Sequence, residues 1–179
     1  MRWQEIKVEV VAKLGGNSAL GDERPFIYVD SQQQQLHWVD IEEEHNRIYP
    51  VSTAENGIGN RLDSLMTPFG IHRIRQKVGG GQPWGMVFEA REPTGRIVDD
   101  LDNRERDEIT SRILWLDGLE DGINLNGVYD TYARYIYIHG TSDEKRIGEA
   151  VSGGCIRMKN DDVIELFDDV MVNDLVLIA

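Results

Sequence analysis

Apolar and polar residues alternate over short stretches along most of this 179-residue chain, the period of half-buried strands. Ile6, Val8 and Val10 alternate with Lys7 and Glu9. That predicts a strand over residues 6–11, followed by a loop at Leu14-Gly15-Gly16-Asn17-Ser18. Residues 26–30 and 36–41 predict two more strands, joined by the polar Ser31-Gln32-Gln33-Gln34, which is long enough for a hairpin connection. Residues 47–52 predict a short strand and residues 70–78 a longer one. Residues 112–116 read as a buried strand. Residues 134–139 are the clearest of all, because aromatic and β-branched positions alternate up to a terminal histidine. Residues 175–178 close the set. Asn160-Asp161-Asp162 can cap a helix running to about Asp168, with Val163, Ile164, Leu166 and Phe167 apolar. Residues 79–85 and 118–127 are rich in glycine and read as loops; residues 99–111 are dense in charge and read as a solvated loop. No repeat or linker interrupts the pattern. The expectation is one mainly β domain over residues 1–179, with sheet packing as its core and one short helix near the C-terminus.

Composition narrows the partners. The chain carries 19 Lys and Arg against 32 Asp and Glu, a formal net charge of −13. Nucleic acid and anionic membrane both need basic surface, so neither is expected. A ligand bearing carboxylates would need a local cluster of arginine or lysine. The single cysteine rules out an intramolecular disulfide and a multi-cysteine zinc site. His37, His45 and His72 lack ligand spacing, so no metal or cofactor is expected. No apolar run approaches a membrane span, and the N-terminal residues lack the apolar core of a signal peptide. The expectation is a cytoplasmic protein with no membrane anchor, or a periplasmic one if a leader preceded this sequence.

Candidate chemistry gathers in two segments, Ile138-His139-Gly140-Thr141 and Ser152-Gly153-Gly154-Cys155-Ile156-Arg157-Met158. Cys155 is the lone cysteine and His139 lies sixteen residues before it. A thiol needs a base to become a thiolate near neutral pH, and histidine is the usual partner. Paired glycines before a nucleophile let the backbone turn sharply and aim its amides at an oxyanion. If the segment is extended, Arg157 shares a face with Cys155 and can hold a carboxylate by a bidentate pair, or else pair with Asp161 or Asp162. Ser152 suits a turn-stabilising hydrogen bond, and Tyr137 and Tyr135 suit the lining of a groove. The 79–85 loop is a candidate lid.

The His-Gly-Thr pattern followed by Ser-x-Gly-Cys-Ile-Arg-Met resembles the signature of the L,D-transpeptidase (YkuD-type) catalytic domain. The likeness extends to Phe26–Asp30 with Gln35-Leu36-His37-Trp38, to Ile48-Tyr49-Pro50-Val51-Ser52-Thr53-Ala54, to Thr67-Pro68-Phe69-Gly70-Ile71-His72 and to residues 161–178, and so covers about residues 26–178. Residues 1–25 stand as an N-terminal extension. The resemblance implies a β-sandwich-like domain. It implies Cys155 as nucleophile, His139 as base oriented by the Gly140 carbonyl, and the Gly154 and Cys155 amides as oxyanion donors. Ser152, Gly153, Tyr137 and Arg157 would then lie at the substrate. The implied substrate is a peptidoglycan stem peptide or muropeptide, cleaved between the diamino acid at position three and D-Ala at position four; carbapenem-type inhibitors should acylate the cysteine. Water as acceptor gives an L,D-carboxypeptidase, an amine gives a 3–3 cross-link, and a D-amino acid gives exchange. A non-catalytic binding module for the same peptides is the alternative of another class. One departure is plain: the family usually has a second histidine two residues before the cysteine, and this chain has Gly153.

Overall fold

The structure is a computed structural model and describes residues 3–13, 24–102 and 108–179. Ten strands form one mixed sheet. In chain order they are β1 (Phe26–Asp30), β2 (Gln35–Asp40), β3 (His45–Pro50), β4 (Gly70–Val78), β5 (Met86–Glu89), β6 (Glu92–Ile97), β7 (Ile109–Gly118), β8 (Tyr137–Thr141), β9 (Ile156–Met158) and β10 (Leu175–Ile178). Helix α1 (Trp3–Lys13) precedes them and α2 (Asn160–Asp169) lies between β9 and β10. The path runs β3-β2-β1-β10-β4-β7-β5-β6, and β8 branches from β7 to carry β9. β1 with β10 and β8 with β9 are the parallel pairs.

Strand β7 is the hub. It pairs with β4, β5 and β8. Its ladder with β8 slips between Thr110 and Ile113, and Ser111 takes a left-handed φ of 61° there. A bulge of this kind bends and twists a strand, and here it lets one strand serve two partners on the same edge. The main core joins both limbs of the sheet: Ile27, Val29, Leu36, Val176 and Ile178 on one side and Leu114, Leu116, Ile138, Ile156 and Met158 on the other, with Val163, Leu166 and Phe167 of α2 packed in. Mostly-strand architecture with one late helix matches the expected mainly β class.

Local departures have physical reasons. Residues 6–11 are helical rather than extended. β1 already has β2 and β10 on its two edges, so the N-terminal segment has no edge to join there; it lays Trp3 and Ile6 over Phe26, Val39, Ile71 and Leu175 instead. The loop expected at residues 14–18 lies outside the described residues. The charged 99–111 stretch contains the start of β7, and β5 with β6 forms a hairpin that the polarity pattern hides. β8 begins at Tyr137, because Tyr135 turns through a φ of 57°. The cap on α2 is not an Asn160 side chain; the Asn160 N–H is met by Glu144 Oε1 at 2.7 Å.

His72 is fully buried in this frame. Its Nδ1 donates to the Gly70 carbonyl at 3.0 Å, so its Nε2 accepts from Thr131 Oγ1 at 3.1 Å. Burial above all, aided by the Arg134 charge, pushes its pKa down to about 4. An unfolded histidine titrates near 6.5. Between those values the unfolded chain takes up a proton that the folded one refuses. Stability present in full above about pH 6.5 is therefore lost as pH falls towards 4, by on the order of 3 kcal/mol. Urea midpoints measured from pH 7 to pH 5 should fall for the natural protein and stay flatter for His72→Gln; parallel curves would show that His72 is not the titrating group.

Candidate active site

Side chains two residues apart on a strand share a face, so Tyr137 and His139 project together from β8. The parallel register sets Ile138 against Ile156 and His139 against Arg157, which brings Cys155 to the level of Tyr137. Ile138 and Ile156 point the other way, into the main core. The face bearing the cysteine carries a second cluster of Met86, Phe88, Ile113, Trp115 and Tyr137, against which Tyr132 and Cys155 pack.

His139 is buried, and its Nδ1 stands 2.6 Å from the Gly140 carbonyl oxygen. A carbonyl can only accept, so Nδ1 holds the proton and Nε2 is the basic nitrogen of the neutral ring. Gly140 is required by close approach. A Cβ there would sit 2.6 Å from the Thr110 carbonyl oxygen and 2.9 Å from Asn160 Oδ1. Asn160 is itself fully buried. It accepts from Thr110 Oγ1 and Ser111 Oγ at 2.6 Å each and donates to the Thr141 carbonyl at 3.0 Å. One side chain thus ties the β7 bulge, the end of β8 and the start of α2 together beside the histidine.

Cys155 is half-buried. Its Sγ receives the Tyr137 N–H at 3.4 Å and, as a thiol, faces the Tyr135 carbonyl at 3.6 Å. A backbone donor aimed at sulfur favours the thiolate. The turn before it is built from hydrogen bonds. Ser152 Oγ donates to the Cys155 carbonyl at 2.5 Å and accepts the Gly154 N–H at 3.1 Å. Gly154 has a φ of 133°, which an L side chain rarely adopts. Its carbonyl accepts from Thr67 Oγ1 at 2.9 Å, and that hydroxyl accepts the Ala54 N–H at 2.9 Å.

A model of the YkuD family, described as the L,D-transpeptidase catalytic domain, matches residues 24–178. The chain belongs to that family. It is similar to YqjB of Bacillus subtilis (strain 168), named as an L,D-transpeptidase, at 50% identity over 49 residues, which span 27% of this chain and 28% of that protein. A longer match, 25% identical over 144 residues, covers 80% of this chain and 64% of a protein from the ATP synthase subunits region of Fuscovulum blasticum, also named as an L,D-transpeptidase. L,D-transpeptidase 3 of Mycobacterium tuberculosis, solved with a faropenem-derived adduct, shares the fold with a TM-score of 0.54 at 14% identity, over 86% of this chain and 59% of that one.

In this L,D-transpeptidase domain the expected site residues fall into two groups. Cys155, His139, Gly140 and Tyr137 come together. Ser152 and Arg157 are buried, 4% and 6% exposed: Ser152 serves the turn, and the Arg157 backbone bonds with Ser52 in both directions. Neither presents an open surface to a ligand. The Gly154 amide, expected to face an oxyanion, is engaged by Ser152 Oγ. Gly153 is exposed, with nothing near where a Cβ would sit. It opens onto a cleft of about 250 Å³ lined by Leu62, Leu65, Arg134 and Tyr135 among others. In the 79–85 loop, the candidate lid, Trp84 Nε1 donates to Asp161 Oδ1 of α2 at 2.8 Å, while Gly79, Gly80 and Gln82 line a cavity shared with Phe88 and Arg91.

Sequence reasoning passed over three residues. Thr67 was visible in the Thr-Pro-x-Gly turn, but not its bond to Gly154. Arg134 donates to the Gly59 carbonyl at 3.1 Å and the Met66 carbonyl at 2.6 Å. Burial pulls its pKa down and the charge of Cys155 opposes that shift, so a half-buried cation stands close to the sulfur. Arg91 donates to the Tyr137 hydroxyl at 3.2 Å. Neither arginine is close to Cys155 in sequence, so no local motif announces them. Among the described residues no group of three or more His, Cys, Asp and Glu could hold a metal, and no helix is long and apolar enough to cross a membrane.

Replacing Thr67 by valine keeps its shape but strands the Gly154 carbonyl and the Ala54 N–H. The variant should lose about 1–3 kcal/mol of stability and alkylate Cys155 with iodoacetamide more slowly, while Thr67→Ser should keep both properties. An unchanged alkylation rate in Thr67→Val would show that this bond does not position the cysteine.

Proposed function

We propose that this chain performs the cysteine acyl transfer on peptidoglycan that is general to its family, with Cys155 as nucleophile and His139 as base, and that water is its acceptor. The observation that carries the reading is the pairing on one face of a half-buried thiol and a histidine whose Nδ1 proton is committed to the Gly140 carbonyl. That bond leaves Nε2 as the atom that takes the thiol proton.

The Cys155 thiolate attacks the carbonyl between the L-centre of the diamino acid and D-Ala. The C–N bond breaks, His139 returns its proton to the departing amine, and free D-Ala leaves a thioester on Cys155. Water then gives a proton to His139 and attacks the thioester, and the thiol is restored as a tripeptide carboxylate leaves. The Cys155 amide serves the oxyanion, joined by the Gly154 amide once it lets go of Ser152 Oγ. Losing one such donor typically costs about 3–4 kcal/mol of transition-state stabilisation. Hydrolysis of free muropeptides fits a cytoplasmic trimming role. Transpeptidation is the second reading, favoured by the cleft beside Gly153, which gives a second stem a separate approach to the thioester.

Incubating the protein with a disaccharide tetrapeptide, with and without a second stem, and reading products by mass spectrometry separates these readings. Tripeptide plus D-Ala is the expected outcome; a 3–3 dimer would replace water by an amine as acceptor. Cys155→Ala should abolish release. His139→Gln should lower kcat by roughly 10²–10⁴-fold, and a carbapenem should add its mass to the natural protein but not to Cys155→Ala. A mass gain that persists in Cys155→Ala would remove the cysteine from its assigned role.

A further inference from the structure

The geometry points to Arg91 as the residue that holds a carboxylate of the bound stem peptide beside Cys155, an inference that rests on the substrate class proposed above. Arg91 sits at the tip of the β5–β6 hairpin, where Glu89 pairs with Glu92. The two turn residues, Ala90 and Arg91, have φ values of 46° and 70°. Two-residue turns of this kind favour Asn and Gly, so the sequence does not choose this conformation locally. Contacts of the Arg91 side chain hold it. The guanidinium lies over Trp115 at 4.8 Å and over Tyr135 at 5.3 Å, and Nη1 donates to the Tyr137 hydroxyl.

Those rings form a shelf next to the cysteine. Trp115 stacks on Tyr132 at 4.0 Å and meets Tyr137 edge-on at 5.5 Å. Cys155 packs against the same cluster, and the Tyr137 backbone reaches its sulfur. An acid-rich chain would be expected to pair an arginine at this position. Among the described residues, however, no carboxylate makes an ion pair with Arg91, whereas Arg24, Arg47, Arg73, Arg96 and Arg146 all have one. Its planar fork spends one donor on a neutral phenol and keeps the rest for an anion. Arg157 is too buried for that task, and both terminal nitrogens of Arg134 are bonded to backbone carbonyls. Exchanging the Tyr137 hydroxyl for a carboxylate turns a single bond into a charge-assisted pair, with the apolar arm of the peptide on the aromatic shelf.

A tetrapeptide stem offers two such groups near the scissile bond, the free carboxylate of the diamino acid and the terminal carboxylate of D-Ala. Calorimetric binding to the Cys155→Ala protein tests both. Three ligands are used: the disaccharide tetrapeptide, its diamino-acid amide and its terminal amide. One amidation should weaken binding by about tenfold or more, identifying the carboxylate. Arg91→Gln in the same background should weaken the unmodified ligand to match and erase that penalty, and Arg91→Lys should recover part of it. Equal affinity for all three ligands, no binding of any, or an amidation penalty that survives Arg91→Gln would overturn the assignment. Release of D-Ala by the protein with Cys155 intact is scored separately. Its absence alongside an Arg91-dependent penalty would refute hydrolysis and leave the carboxylate site standing.

Discussion

The site depends on the close approach of β7 to Gly140. The Thr110 carbonyl oxygen stands where a side chain of residue 140 would begin, 2.6 Å from an ideal Cβ. That contact exists because β7 bulges at Ser111 and changes register with β8. Asn160 then fixes the bulge by accepting from Thr110 and Ser111 while donating to Thr141. The same closeness keeps residue 140 bare, which leaves its carbonyl within 2.6 Å of His139 Nδ1. Fold and tautomer are therefore one constraint: a larger residue at 140 would push β7 away and unsettle the carbonyl that orients the imidazole.

Electrostatics follow a second logic, local rather than global. The chain as a whole is strongly acidic, yet Arg134 interacts with the charge of Cys155 and Arg91 donates to the Tyr137 hydroxyl in the neighbouring cluster, and the described ion pairs include neither. Long-range steering by the net charge works against an acidic ligand. Short-range, partly desolvated cations act over a few ångströms and are screened far less by salt. The overall charge thus says little about a carboxylate ligand; in the proposed reading Arg91 meets it locally, while Arg134 is committed to the Gly59 and Met66 carbonyls.

Legibility in the sequence tracked how far each signal is local. β1, β2, β4 and β10 were readable because each carries its own apolar run or rough alternation, bounded by turns or polar residues. The cysteine and histidine were readable because their glycines sit next to them. Helix α1 was misread because Ile6, Val8 and Val10 happen to alternate, while its conformation is set by which edges of β1 are already taken. The β5–β6 hairpin was missed because β6 is exposed along its whole length and Ala90-Arg91 is no turn signal. Arg91, Arg134 and Asn160 act through strands distant in sequence, so their roles exist only after the sheet closes.

Gly153 marks a departure from the family pattern, and the groups that bear on the thiol in the proposed chemistry do not call on a histidine there. Three features bear on the sulfur or its turn: the Tyr137 N–H, the Arg134 charge, and the Ser152–Thr67 bonds that hold Gly154. None of them passes through the side chain at 153. Two are backbone groups or bonds to backbone, indifferent to substitution at 153, and the third is anchored to the Gly59 and Met66 carbonyls. The 153 position points into open space, so its side chain would meet whatever approaches Cys155 along the cleft before it met the protein. In the proposed reaction, a residue in that place would alter which acceptor reaches the thioester while leaving the formation of the thioester to groups fixed by the sheet.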